Sequence, residues 1–191
     1  MPSKTNLDDI LNFMSTAHAS PGPIVRWEIL KGLPGEGPVP KHFHLGHPTP
    51  WAEGFVVRFW NEDGSVWIAN FQSGVTNYCD FFEFPDPRIG VIVSRGACYF
   101  LPFEDPQGVT NRSGEITSTL QTDKGNLILV SLTGEITVFD RFGVVLWHRN
   151  DFAADELILR SCVSGTIIAD VQDWEGNWHT IRVSEKSGID R

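Results

Sequence analysis

The stretch that most constrains the fold runs from Gly125 to Trp147 and reads GNLILVSLTGEITVFDRFGVVLW. Its apolar runs are separated by two glycine-containing turns, Thr133-Gly134 and Asp140 to Gly143, because glycine takes the positive φ that tight hairpin turns need. The pattern therefore predicts three short strands. When the first hairpin is registered on Thr133-Gly134 as a two-residue turn, both faces of its strands are largely apolar. A strand that is apolar on both faces belongs inside a packed β structure.

This register divides the apolar side chains of the hairpin between two faces. One face is expected to hold Leu127, Leu129, Ile136 and Val138, and the other Ile128, Val130, Leu132 and Phe139. Leu129 and Val138 should then face each other across the two strands, and both should be buried.

The rest of the chain extends the same pattern. Short apolar runs bounded by glycine and proline predict strands from residue 24 to residue 183, and helical spacing is clear only in residues 5 to 18. We therefore expect an all-β fold, an antiparallel meander that is either a small propeller-like structure or a two-sheet sandwich, with one short N-terminal helix. The expected organisation is a helix and linker (1–23), a single β domain (24–185) and a C-terminal tail (186–191).

Charge and composition limit the classes of partner. The chain of 191 residues has 24 acidic and 15 basic side chains, a formal net charge of −9. Nucleic acids and anionic membranes need a basic surface, so neither is expected as a partner, whereas a basic protein partner is permitted. The three widely spaced cysteines, the absence of a long apolar run and the acidic residues near the N-terminus predict a cytoplasmic protein. No cofactor motif is present, and none is expected to bind.

The hairpin from Phe55 to Phe71 is rich in aromatic residues. If Asn61 to Gly64 form a four-residue turn, Trp60 and Trp67 lie together on one face beside Arg58. This arrangement has two interpretations, a packed aromatic cluster with a cation–π contact or an aromatic patch that binds a ligand. Arg58, Trp60 and Trp67 are therefore candidate binding residues.

A long proline- and glycine-rich segment lies between Lys31 and Glu53. It contains His42, His44 and His47. Because residues i and i+2 of an extended segment point the same way, His42 and His44 are able to chelate one metal ion, with His47 as a third ligand. The alternative is that these imidazoles hydrogen-bond to backbone and water.

The same segment is the predicted binding site of the molecule. Loops on a rigid β scaffold present side chains without disturbing the core, and tryptophan is a favoured interface anchor. We therefore expect Trp51 and His44 to contact a partner.

Two resemblances bear on fold and role. One sequence pattern occurs twice, in LILVSLTGEI (127–136) and LILRSCVSGTI (157–167), each of which is followed by Asp-x-x-Gly and a tryptophan. This pattern resembles the blades of quinoprotein-type β-propellers. The second resemblance rests on three stretches, which are EGFVVRFWNEDGSVWIANFQSG, IGVIVSRGACYFLPFEDP and a late W-x-x-x-W motif. They resemble a family of uncharacterised bacterial all-β proteins, some of which are encoded near polymorphic (Rhs-type) toxins. The chain departs from that family after Trp147, where Asn150-Asp151-Phe152 replaces a Ser-Trp-Asp-Gly run.

The sequence thus predicts a non-enzymatic protein-binding module, and the family resemblance implies an immunity-type protein that neutralises a toxin partner. No nucleophile-elbow, metalloprotease or nucleotide-binding motif is present. Cys98 and Cys162 lie in apolar strand contexts, where a thiol is usually inert. The alternative function is a metal-dependent enzyme of cupin-like chemistry that uses His42, His44 and His47.

Overall fold

The computed structural model describes residues 22–46, 53–152 and 155–190. Within these ranges it has fifteen strands in four small sheets and no helix, which confirms the all-β prediction. The predicted helix at 5–18 lies outside the described residues.

The strands are numbered in chain order. The first sheet contains β1 (Ile24–Leu30), β2 (Lys41–Phe43), β3 (Phe55–Asn61) and β4 (Val66–Phe71). The second contains β5 (Asp80–Pro85), β6 (Arg88–Ser94), β7 (Ala97–Pro102) and β8 (Thr110–Ser113). The third contains β9 (Ile116–Gln121), β10 (Leu127–Ser131), β11 (Ile136–Phe139) and β12 (Val145–Arg149). The fourth contains β13 (Leu157–Val163), β14 (Thr166–Gln172) and β15 (Trp178–Ser184).

The second, third and fourth sheets are antiparallel meanders in which strands adjacent in the chain are paired. The first sheet has the order β1-β3-β4-β2, and β2 pairs with β4 in parallel. The expected antiparallel meander therefore has one exception. It arises because part of the segment predicted to be irregular, Lys41–Phe43, adds to the free edge of β4.

Three apolar layers connect the four sheets in chain order. Side chains of the first and second sheets form one core, those of the second and third form another, and those of the third and fourth form the last. β10 belongs to two of these cores, because Leu127 and Leu129 face the second sheet while Ile128 and Val130 face the fourth. The prediction that this strand is buried on both faces is confirmed.

Five hairpins share one loop geometry, in which three residues lie between the two residues that close the loop and the third of them is a glycine with φ between 74° and 83°. In each, the first residue of a five-residue unit donates its N–H to the carbonyl of the fifth, and the glycine N–H donates to the carbonyl of the first. These units are 61–65, 122–126, 131–135, 140–144 and 173–177. A positive φ is strained for residues with a Cβ, so the glycine position determines where each loop ends.

This geometry makes the predicted register of the opening hairpin wrong by one residue. The loop is Leu132-Thr133-Gly134, closed by a bond from Ser131 N–H to Glu135 O (3.0 Å), and not the two residues Thr133-Gly134. Leu129 therefore pairs with Thr137, and Val138 pairs with Ile128. A one-residue shift moves every side chain of one strand to the opposite face. The true faces are Leu127, Leu129, Thr137 and Phe139 against Ile128, Val130, Ile136 and Val138.

The burial of Leu129 gives a stability test. Leu129→Ala is expected to lower the free energy of unfolding by about 2–5 kcal/mol, because the side chain is buried in the core between the second and third sheets. Leu132→Ala, at the exposed loop position, is the matched control and should change it by less than about 0.5 kcal/mol. Urea denaturation of both variants measures the difference, and equal effects would contradict the observed register.

Candidate functional site

His42 and His44 lie side by side, as their spacing predicts. Their rings are nearly parallel (10°) with centroids 6.2 Å apart. The amide Nδ2 of Asn70 lies 3.0 Å from Nδ1 of His42 and is positioned to donate to it. Nδ1 of His44 is buried and has no hydrogen-bond partner among the residues that the structure describes. His47 and Trp51 lie outside the described residues, so their places in the predicted site stay predictions.

The surroundings of this histidine pair supply no further metal ligand that the structure describes. The carboxylate of Glu53 accepts a hydrogen bond from the Leu33 N–H (3.1 Å), next to Gly32. Across residues 22–46, 53–152 and 155–190, no three histidine, cysteine, aspartate or glutamate side chains are grouped to hold a metal ion. The pair offers two imidazoles on one side of the chain.

The predicted aromatic patch of Trp60 and Trp67 is wrong. The loop from Glu62 to Gly64 has three residues and not four, so Trp67 pairs with Phe59 and lies on the opposite face from Trp60. Trp67 is 6% exposed in the first core, and its indole N–H donates to Asn61 Oδ1 at 3.1 Å.

Trp60 instead lies on the outer face of the first sheet. The guanidinium carbons of Arg26 and Arg58 lie 3.9 and 5.8 Å from the centroid of its ring. Arg58 also pairs with Glu28 at 3.3 Å. These contacts form a cation–π cluster around one tryptophan, so the structure brings Arg58 and Trp60 of the predicted patch together and leaves Trp67 apart. A binding role for Arg58 and Trp60 stays a prediction.

A different surface combines exposed apolar and acidic side chains, at two hairpin loops of neighbouring sheets. Trp174, in the β14–β15 loop, is 90% exposed, and Leu132, in the β10–β11 loop, is 55% exposed. Two surface grooves of about 290 and 420 Å³ adjoin here and share Asp155. We call this surface the acidic rim, defined by Leu132, Asp155, Glu156, Asp173, Trp174 and Glu175.

Loop chemistry explains why Trp174 is exposed. Asp173 Oδ1 accepts hydrogen bonds from the N–H groups of Glu175 and Asn177, both at 2.9 Å. The backbone hydrogen bond from Asn177 is the largest cause that lowers the pKa of Asp173, so the carboxylate is ionised at neutral pH. Because Asp173 and Gly176 close the loop, the side chain of Trp174 takes no part in its closure and has no core position to occupy.

The carboxylates of the acidic rim are mostly uncompensated. Asp173 lies 4.0 Å from His179, while Asp155, Glu156 and Glu175 have no cation within ion-pair distance among the described residues. An exposed indole beside several negatively charged side chains is complementary to a cationic surface, because Coulomb attraction adds to the gain from apolar burial. Sequence analysis missed this site, although a bulky aromatic residue inside an Asp-x-x-Gly turn is a signal for an exposed side chain.

A buried carboxylate connects the third and fourth sheets. Glu185, 2% exposed, accepts hydrogen bonds from Thr122 Oγ1 and Asn126 Nδ2, both at 2.7 Å, and pairs with Lys124 Nζ at 3.3 Å. Burial by itself would raise the pKa of Glu185, but the bonds from Thr122, Asn126 and Lys124 outweigh it and lower that pKa. The carboxylate therefore links the β9–β10 loop to the end of β15.

The two cysteines considered as nucleophiles are poorly suited to that role. Burial raises the pKa of Cys98 to about 12, and burial together with the nearby Glu185 raises the pKa of Cys162 to about 11. Both thiols are therefore protonated at neutral pH, and the thiolate is the reactive form.

No protein-family model matches the chain, and no curated protein matches it. In the part of the chain that the structure describes, no helix has the length and apolar character needed to cross a membrane.

Glu185 gives a pH-dependent prediction. Glu185→Gln should lower the free energy of unfolding at neutral pH by about 1–3 kcal/mol. This is the typical cost when buried hydrogen-bonding groups, here Thr122 and Asn126, lose the charged group to which they bond. Because the folded-state pKa lies below the ordinary value of 4.5, this stabilisation is present above that value and is lost as the pH falls through the folded-state pKa. Urea denaturation across the acidic range should show the two proteins converging, and a constant difference would contradict the assignment.

Proposed function

We propose that the protein is a non-enzymatic binding module for a basic protein partner and that the acidic rim is its binding surface. The observation that carries this proposal is Trp174, which is 90% exposed beside the carboxylates of Asp155 and Glu175, and neither carboxylate has an ion-pair partner among the described residues. Tryptophan is the residue type most enriched among side chains that dominate interface energies.

The two components of the rim have separate roles in this proposal. Burial of the Trp174 indole and the Leu132 side chain supplies apolar contact area, worth roughly 25 cal/mol per Å² removed from water. The carboxylates, in a protein of net charge −9, attract a basic partner during diffusion and raise the association rate. Charge pairs at the rim of an interface affect the rate and the partner choice more than the affinity.

The family resemblance supports a more specific form of this proposal. A bacterial protein of the resembled family, encoded near a polymorphic toxin, would act as an immunity protein that covers a basic surface of the toxin. Two rigid hairpin loops suit that role, because little ordering entropy is lost when they bind.

The alternative, a metal-dependent enzyme of cupin-like chemistry that uses His42, His44 and His47, is favoured by one observation. Nδ1 of His44, beside the parallel ring of His42, has no hydrogen-bond partner within the described part of the chain. The described residues supply two imidazoles of the three ligands that catalytic zinc sites use, and the predicted third, His47, lies outside them. The binding-module proposal is supported by more of the described surface.

The test places a photo-reactive side chain at the proposed anchor. The protein with p-benzoyl-phenylalanine in place of Trp174 should crosslink to a basic protein when irradiated in cells of its source. The matched control carries the same side chain in place of Trp178, which lies in the same hairpin but at the start of β15 and outside the acidic rim. Mass spectrometry identifies the partner.

The purified partner then allows a quantitative measurement. Trp174→Ala should weaken its affinity by about 2 kcal/mol or more, close to thirtyfold, with Trp178→Ala near neutral. Crosslinking that is equal at both positions, or a partner that binds Trp174→Ala normally, would overturn the proposal.

A further inference from the structure

A groove of about 250 Å³ lies where the second and third sheets meet. Arg112 of β8 lines it from the second sheet, and residues of the third sheet line the rest. Its floor consists of three buried apolar side chains, Ile116, Leu129 and Phe139. The volume corresponds to roughly eight water molecules, so the groove has room for a small ligand and not for a large cofactor.

Two opposite charges line this groove without pairing. They are the guanidinium of Arg112 and the carboxylate of Glu135. The ion pairs and side-chain hydrogen bonds of the described residues involve neither of these two charged groups. Elsewhere on the surface opposite charges are paired, as Arg160 is with Asp170 at 2.7 Å. Both charges of the groove are therefore accessible to a ligand.

Each of the two charges is positioned by its own sheet. The guanidinium carbon of Arg112 lies 5.8 Å from the centroid of the Phe100 ring in the second sheet. The backbone of Glu135 is held by Ser131, whose Oγ accepts the Glu135 N–H at 3.2 Å and whose N–H donates to the Glu135 carbonyl at 3.0 Å. A packed core joins the two sheets, so the fold fixes the distance between these two attachment points. A preformed gap favours a ligand that spans it, because little ordering is needed on binding.

The remaining side chains of the groove are polar or aliphatic. Nδ1 of His148 lies 3.0 Å from Thr137 Oγ1, which orients the imidazole ring. Val145, on the same strand as His148, is exposed and supplies apolar surface. The groove thus combines one cation, one anion, hydrogen-bonding groups and an aliphatic side chain.

We propose that this groove binds a small zwitterion, an unbranched amino acid whose carboxylate pairs with Arg112 and whose ammonium group pairs with Glu135. A guanidinium is able to donate two parallel hydrogen bonds to a carboxylate, which fixes the orientation of the ligand. The methylene groups between the two charges lie against Val145. The inference goes beyond the proposed function and uses no residue of the acidic rim, so either proposal is able to fail without the other.

The pair of charges selects against ligands that carry only one. A simple anion is attracted by Arg112 and repelled by Glu135, and a simple cation meets the reverse arrangement. A zwitterion compensates both groups at once. A phosphate or nucleotide is further disfavoured by the formal net charge of −9 on the protein.

The probes are glycine, β-alanine, γ-aminobutyrate, δ-aminovalerate and ε-aminocaproate, which separate the two charges by successive methylene groups. Each is titrated into the full-length protein, and binding is measured from the NMR chemical shifts of the backbone amides. At least one probe should bind with a Kd below about 1 mM and should shift the amides of residues 110–112, 135–139 and 145–148. The probe that binds best reports the distance between the two charges of the groove.

Derivatives of the best probe test the charge pairing on the unmodified protein. Its methyl ester lacks the negative charge and its N-acetyl form lacks the positive charge, so each should bind at least about tenfold more weakly. Arg112→Gln and Glu135→Gln should each weaken the parent probe to a similar extent. The matched controls, Arg141→Gln and Glu62→Gln, remove exposed charges outside the groove and should leave the Kd unchanged.

Three results would overturn this proposal. The first is that no probe shifts the groove amides, and the second is that either derivative binds as tightly as the parent probe. The third is that the variants at Arg112 and Glu135 bind the parent probe as the two controls do.

Discussion

The burial of β10 on both faces is the constraint on which the rest of the structure depends. Its alternate residues, Leu127 and Leu129 against Ile128 and Val130, complete two different cores, so this strand contributes to the packing of the third sheet against both the second and the fourth. A shift of one residue in its pairing with β11 would exchange the two sets of side chains. The Ser131–Glu135 loop, with Gly134 at φ 74°, selects the register and thereby maintains both cores.

The same loop type connects stability with the candidate functional surfaces. In the units that begin at Ser131, Asp140 and Asp173, a side-chain oxygen of the first residue accepts the N–H of the fifth. The side chains of Leu132, Phe142 and Trp174 take no part in these bonds, and all three are exposed. Exposure of large apolar side chains costs no core packing here, because no alternative buried position exists for them.

Most of the fold could be predicted from the sequence, but little of the candidate site could. Apolar runs and turn glycines predicted the all-β class and the burial of β10 on both faces. Register failed twice for one reason. Thr133-Gly134 and Asn61 to Gly64 indicate a turn, but the number of loop residues depends on backbone hydrogen bonds that the residue types do not specify. That error produced the false Trp60–Trp67 patch.

The acidic rim was not predicted from the sequence. Leu132, Asp155 and Trp174 are far apart in the sequence and come near one another only when the third and fourth sheets pack together.

Hydrogen exchange of the complex with the crosslinked partner tests the central claim most directly, because it compares all the candidate surfaces in one measurement. If the acidic rim is the binding surface, the partner should slow exchange in the loops 131–135 and 173–177 and at residues 155–157, and should leave residues 31–46 and the outer face of the first sheet unchanged. Protection from exchange confined to residues 31–46, the segment that contains His42 and His44, would contradict the claim that the acidic rim is the binding surface. It would instead place the binding site in the histidine-containing segment.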